Sequence, residues 1–245
     1  METTIKVENL CKTYGPLSAV ENVTFSIRRG EVFGLLGANG AGKSTTIECI
    51  LGTARQDSGT VSLLGMNPQT DRKRLFERVG VQFQEASYQD KIKVAELCEA
   101  TASLYKTCLD PRTLLDQFGL SDKGKSLVSE LSGGQKQRLF IVLALIPDPE
   151  VVFLDELTTG LDAKARREVW KILSELKANG KTILMTSHFM DEVEVLCDNI
   201  MILKNGKSIF SGTVQAAIAA SPYEKLEDAY LWYTEEENVH EHASL

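Results

Sequence analysis

The segment Gly37-Ala38-Asn39-Gly40-Ala41-Gly42-Lys43-Ser44 fits the pattern GxxxxGK[ST], and no other stretch constrains the fold as much. The pattern has meaning only between a strand and a helix. Val32-Phe33-Gly34-Leu35-Leu36 precedes it as a continuous apolar run, as expected of a strand buried on both faces, and a polar-capped segment follows. Glycines in such a loop let successive backbone N–H groups turn inward, and the helix N-terminus behind it adds partial positive charge. A polyphosphate is then held by dipoles as well as by Lys43, while Ser44 can ligate magnesium. No acidic residue lies between Val32 and Ile47, so the net charge of −7, from 27 basic and 34 acidic residues, does not act locally against an anion. The same acidic excess speaks against nucleic acid as a partner, because phosphate backbones select basic surfaces.

Around this loop the chain reads as α/β. Ile5 and Val7, then Val23, Phe25 and Ile27, alternate at period two and suggest a small antiparallel β layer at the start. Short apolar runs recur at Val79 to Phe83, Val151 to Leu154, Thr182 to Met185 and Ile200 to Leu203, separated by helix-like stretches. Strands alternating with helices imply a mostly parallel sheet. Val169, Ile172, Leu173 and Leu176 mark the apolar stripe of one helix, which Gly180 can close. Between Phe83 and Pro147 no strand is evident; Val94 to Tyr105, Pro111 to Phe118 and Ser132 to Ile146 read as helices of an inserted lobe. After the Asn205-Gly206 hairpin turn, a helical tail through Leu226 to Trp232 ends in acidic residues, where His240 and His242 read as a solvated terminus rather than a metal site. Cys11, Cys49, Cys98, Cys108 and Cys197 are scattered with no CxxC pair, so neither a disulfide framework nor a zinc site is indicated.

Two further motifs carry chemistry. Val151 to Leu154 ends in Asp155-Glu156, two carboxylates at the end of a buried strand. Beside a phosphate loop, Asp155 is placed to hold a magnesium shell and Glu156 to polarise an attacking water, although strand-end acids also serve as caps. Leu131-Ser132-Gly133-Gly134-Gln135 opens a long apolar helix and by itself could be only a serine cap with flexible glycines. With the phosphate loop and the acid pair, it makes the chain resemble the ATP-binding-cassette (ABC) ATPases, whose distinguishing motif is LSGGQ. Tyr14, Gln84, Gly160-Leu161-Asp162 and His188 follow the family order. Singly they are also readable as a core aromatic, a solvated glutamine, a turn and a satisfied histidine; jointly they extend the resemblance over about residues 3–212.

The resemblance implies a P-loop NTPase core with a mostly parallel sheet, an N-terminal antiparallel β layer and an inserted helical lobe at about 85–147, followed by a short tail at 213–245. It implies ATP and Mg2+ as ligands. Gly37, Asn39, Gly40, Gly42, Lys43, Ser44 and Thr45 would contact the phosphates and Tyr14 would stack on adenine. Ser44, Gln84 and Asp155 would serve the metal, with Glu156, His188 and Gln84 as the catalytic set. Asp162 would communicate across a dimer. Ser132, Gly134 and Gln135 would bind the nucleotide of a partner chain, so that each copy carries two half-sites. Where the family usually has proline after the catalytic glutamate and in the Gly-Leu-Asp element, this chain has Leu157 and Ala163, and a less tightly held Glu156 is the expectation.

Architecture separates the family's functions. No long coiled coil fits between Gln84 and Leu131, which excludes the chromosome and repair ATPases, and ribosome-directed members carry two cassettes. The tail resembles the terminal helix of drug and antibiotic exporter ATPases that work with a separate permease subunit. Expected partners are therefore that permease and a second cassette, identical or related. A non-transport member, such as an iron-sulfur assembly ATPase, is the alternative. The longest uncharged apolar run, Leu139 to Ile146, is far short of the roughly 20 residues a membrane helix needs. Met1-Glu2-Thr3-Thr4-Ile5-Lys6 lacks the features of a secretory signal, so the expectation is a cytoplasmic chain, peripheral at the membrane.

Overall fold

The computed structural model describes residues 2–82 and 88–235. The chain begins with β1 (Thr3–Tyr14) and β2 (Leu17–Arg28), continues through β3 (Val32–Leu36), α1 (Lys43–Leu51), β4 (Ser58–Leu63), α2 (Arg72–Leu75) and β5 (Val79–Gln82), and enters the lobe with α3 (Val94–Ala102), α4 (Pro111–Gln117) and α5 (Gly133–Leu145). It returns through β6 (Val151–Asp155), α6 (Ala163–Ala178), β7 (Thr182–Thr186), α7 (Met190–Leu196), β8 (Asn199–Lys204) and β9 (Lys207–Thr213), and ends in α8 (Val214–Ala219) and α9 (Leu226–Thr234).

Alternation builds the first layer. Ile5 pairs with Ile27 on one side and Leu63 on the other, and Val7 with Phe25 and Val61, so one face of the antiparallel sheet β2-β1-β4 is apolar. That face meets the main sheet where Phe25 stacks on Phe33, ring centroids 5.1 Å apart. The main sheet has the order β5-β6-β7-β3-β8-β9, parallel throughout except for β9, which pairs antiparallel with β8 at the edge. Alternate residues of its central strands enter two cores: Phe33, Leu35, Val151 and Phe153 face the β1-β2-β4 side, while Val32, Leu36, Val152 and Leu154 face the helices. Burial on both faces is why these strands read as unbroken apolar runs.

The lobe shares the second core through Val94, Cys98, Leu114, Phe118, Val128 and Leu139. Its helices start where the sequence provides caps: Asp110 accepts from the Arg112 and Thr113 N–H groups ahead of Pro111, and Ser132 forms a reciprocal capping box with Gln135. The first lobe helix ends at Ala102, earlier than Tyr105, and Leu104 stands exposed beyond it. The sequence pattern did not suggest β4 as a third strand of the opening layer, nor α8, which Thr213 caps by accepting from Ala216 N–H. Val214, Ala217 and Leu226 of the tail bury in the same core as the sheet. Among the described residues, no helix is long and apolar enough to cross a membrane. His240 and His242 lie outside the described residues.

Candidate nucleotide site

The loop between β3 and α1 takes its shape from glycines at positions a side chain could not occupy. Gly42 has φ +104°, and a Cβ there would run into the Ala19 carbonyl oxygen; at Gly37, φ +150°, it would lie 2.6 Å from the Leu203 carbonyl oxygen. The turn that results delivers Lys43 inward. Lys43 is 6% exposed, and its Nζ donates to the carbonyls of Gly37 at 2.7 Å and Ala38 at 3.3 Å. Burial pushes its pKa down, while the carboxylates of Glu156 and Asp155 act in the opposite direction. The α1 N-terminus has no side-chain cap, so its first N–H groups remain open to an anion.

This loop faces a cleft lined by Tyr14, Asn39, Gly40, Gly42, Lys43, Ser44, Thr45 and Glu156. Tyr14 is 47% exposed there, a large aromatic offered to solvent beside the phosphate loop, with Lys12 Nζ 5.0 Å from its ring centroid. Asp57 anchors the approach to Tyr14. It accepts from the Thr13 N–H at 2.6 Å, the Thr13 hydroxyl at 2.7 Å and Lys12 Nζ at 3.1 Å. These donors, led by the Thr13 hydroxyl, hold its carboxyl pKa down at about 2.

At the end of β6, Asp155 N–H donates to Gln82 Oε1 at 3.2 Å, and its Oδ1 accepts from the Thr186 hydroxyl at 2.5 Å. Glu156 follows with φ +49°, an uncommon conformation for a residue with a Cβ. Its N–H donates to Thr186 Oγ1 at 3.0 Å, and its Oε1 lies 2.6 Å from His188 Nε2. At position 157, where the family usually has proline, Leu157 is buried; Thr159 N–H donates to the Glu156 carbonyl at 3.2 Å, and Thr186 and His188 contact the rest of Glu156.

The LSGGQ segment lies elsewhere. Ser132, Gly134 and Gln135 line a second cleft with Gly160, Asp162 and Lys164, and among the described residues the two clefts share no lining residue. Asp162 caps α6 by accepting from the Ala165 N–H at 2.8 Å. Gln84 lies outside the described residues. Thr186 and Gln82 were not singled out from sequence, although a threonine closing an apolar run beside Ser187-His188 is a readable signal of a polar strand end.

A parallel sheet with this loop on a central strand and an acid pair two strands away defines a P-loop ATPase. A family model described as ABC transporter matches residues 20–159, and the chain belongs to that family, as an ATP-binding, ATP-hydrolysing subunit. It is 41% identical over 221 residues to the Nod factor export ATP-binding protein I of Burkholderia orbicola (strain AU 1054), covering 87% of this chain and 72% of the relative. The protein of the same name from Paraburkholderia xenovorans (strain LB400) is 40% identical over 227 residues, 89% of this chain and 74% of the relative. Among solved structures, an ATP-binding subunit of an ABC transporter superposes with a TM-score of 0.84 at 28% identity over 95% of this chain and all of that one. A dimeric post-hydrolysis ATP-binding cassette bound to ADP and Pi gives 0.76 at 25% identity over 85% of this chain and 98% of its own.

Proposed function

We propose that this chain is the ATP-hydrolysing subunit of an exporter, and that it drives a separate transmembrane permease by ATP-gated pairing with a second cassette, identical or related. The observation that carries this reading is the separation of the two clefts. Each has half of what a nucleotide needs, and a second cassette facing the first supplies the rest. The relatives named for Nod factor export, and the dimeric neighbour bound to ADP and Pi, support export and pairing. Attachment to the permease would hold the subunit at the cytoplasmic face of the membrane.

In this reading the phosphates lie on Gly37 to Thr45. Lys43 exchanges its loop carbonyls for phosphate oxygens, and Tyr14 stacks on the adenine. Ser44, Asp155 and Gln84 are hard oxygen donors that would suit Mg2+, which is usually bound through only one or two carboxylates together with substrate phosphates and water. Asp155 supplies the one carboxylate of that set, and the Thr186 hydroxyl holds it by donating to its Oδ1. Held by those residues, Mg2+ would supply neutralisation of the charge on the phosphate oxygens. Glu156 orients the attacking water and accepts its proton, and His188 keeps the Glu156 carboxylate turned into the cleft before its N–H turns toward the γ-phosphate. Ser132, Gly134 and Gln135 of the second cassette would offer the N-terminus of α5 to that phosphate from the opposite side.

Lys43→Ala is expected to lose nearly all magnesium-dependent ATP turnover and to bind nucleotide more weakly. Unchanged hydrolysis in that variant overturns the site. Affinity purification from solubilised membranes is expected to bring down a permease; recovery of soluble assembly proteins in its place rejects the transport reading.

A further inference from the structure

Glu192 on α7 is 1% exposed, and the chemistry above makes no use of it. Its carboxylate accepts three hydrogen bonds from three parts of the chain. Oε2 accepts from the Ser187 hydroxyl at 2.5 Å and the Thr158 hydroxyl at 2.9 Å, and Oε1 accepts from Trp170 Nε1 at 3.0 Å. Thr158 and Ser187 are themselves buried. Burial pushes the Glu192 pKa up against these donors, so the carboxylate is an expensive anchor if packing α7 were its only task.

Two of the donors sit beside the catalytic pair. Thr158 is two residues after Glu156, and its carbonyl accepts the Leu161 N–H at 3.2 Å, at the base of the turn leading to Asp162. Ser187 immediately precedes His188, and its Oγ also accepts the Phe189 N–H at 3.0 Å, so it grips the chain on both sides of the histidine. The Arg166 guanidinium lies 3.7 Å from the Phe189 ring centroid and closes the loop from the α6 side. The segments carrying Glu156 and His188 therefore end on one buried oxygen.

We propose that Glu192 is a positioning residue: by holding Thr158 and Ser187 together on Oε2, it sets the Glu156–His188 contact and locks it to the turn that bears Asp162. The inference rests on Glu156 being the group that orients the attacking water. Trp170, on Oε1, joins only α6 to α7 and serves the fold.

The test uses the full chain, with thermal melts and steady-state ATP hydrolysis for Thr158→Val, Ser187→Ala and Trp170→Phe. Each change removes one donor; Thr158→Val keeps the side chain's shape and Ser187→Ala loses one atom, while Trp170→Phe also gives up part of a ring packed on the core. Thr158→Val and Ser187→Ala are expected to lower kcat about tenfold to a hundredfold with KM for ATP within about twofold, the signature of misplaced reacting groups rather than weaker binding. Thr158→Ser, which keeps the hydroxyl, should restore kcat. Trp170→Phe should lower Tm and leave kcat within about twofold. The proposal is overturned if kcat survives in Thr158→Val and Ser187→Ala, or if the loss of kcat merely follows the loss of Tm across all three. Glu156→Gln runs in parallel: if it keeps turnover, the catalytic reading and this inference both fall. If it loses turnover while the hydroxyl variants do not, only the inference falls.

Discussion

At the scale of single residues, the site depends on ionisable groups placed where water would not leave them. Lys43 is folded onto its own loop carbonyls, which keeps a buried ammonium satisfied, and in the proposed function phosphate oxygens would replace them. Glu192 is the opposite case, a carboxylate whose burial raises its pKa above the ordinary glutamate value of 4.5, with Arg166 acting to lower it. Between 4.5 and the raised value the folded chain binds the proton more readily than the unfolded chain, so this group's contribution to stability falls as pH rises through that window. Below the window the carboxyl is protonated in both states and its contribution is constant. Glu192→Gln removes the titration. Its Tm relative to the parent is expected to shift in the variant's favour as pH is raised from about 4 to about 7, whatever the offset at low pH. Thermal melts of the two proteins across that range check this, and a difference that stays flat contradicts it.

At the scale of elements, the contact of α5 with β5 fixes where the LSGGQ segment stands relative to the sheet. A Cβ on Gly80 of β5 would run into the Ala144 carbonyl oxygen, and backbone cannot swing aside. Gly80→Ala is expected to destabilise the chain by about 3 kcal/mol, the upper end of ordinary overpacking. At Gly124 the nearest atom to an added Cβ is Ala95 Cβ at 3.8 Å, and Gly124→Ala should change stability by less than about 0.5 kcal/mol. Denaturant melts of both variants check the contrast. The elements also show what a sequence can reveal. The central strands were legible because burial on both faces made Val32 to Leu36 and Val151 to Leu154 continuous apolar runs. β4 was hidden because Ser58-Gly59-Thr60 reads as a turn and only Val61 and Leu63 mark its buried face. The phosphate loop, the acid pair and LSGGQ were legible because each is contiguous. Thr186, Thr158 and Glu192 were not, since their roles come from contacts between segments that only the folded sheet brings together.

At the scale of the whole molecule, the proposed function makes association part of the chemistry. If Ser132 to Gln135 completes the pocket of a second cassette, ATP should bring two chains together and hydrolysis should release them. In the proposed mechanism Glu156 orients the attacking water; Glu156→Gln keeps the side chain's shape and loses the carboxylate, so it should bind ATP, turn over very slowly and hold the closed pair. Each chain carries a net charge of −7, so two copies repel at long range. At about 0.15 M salt the Debye length of about 8 Å confines that repulsion to near contact. Light scattering on Glu156→Gln under these conditions should give a dimer mass with ATP, and mostly a monomer mass with ADP or without nucleotide. Adding Ser132→Arg places bulk and charge in the second cleft without touching the phosphate loop, whose cleft shares no lining residue with it among the described residues. The double variant should bind ATP as its parent does and remain monomeric. A double variant that pairs as well as its parent would show that this segment does not complete the partner's pocket.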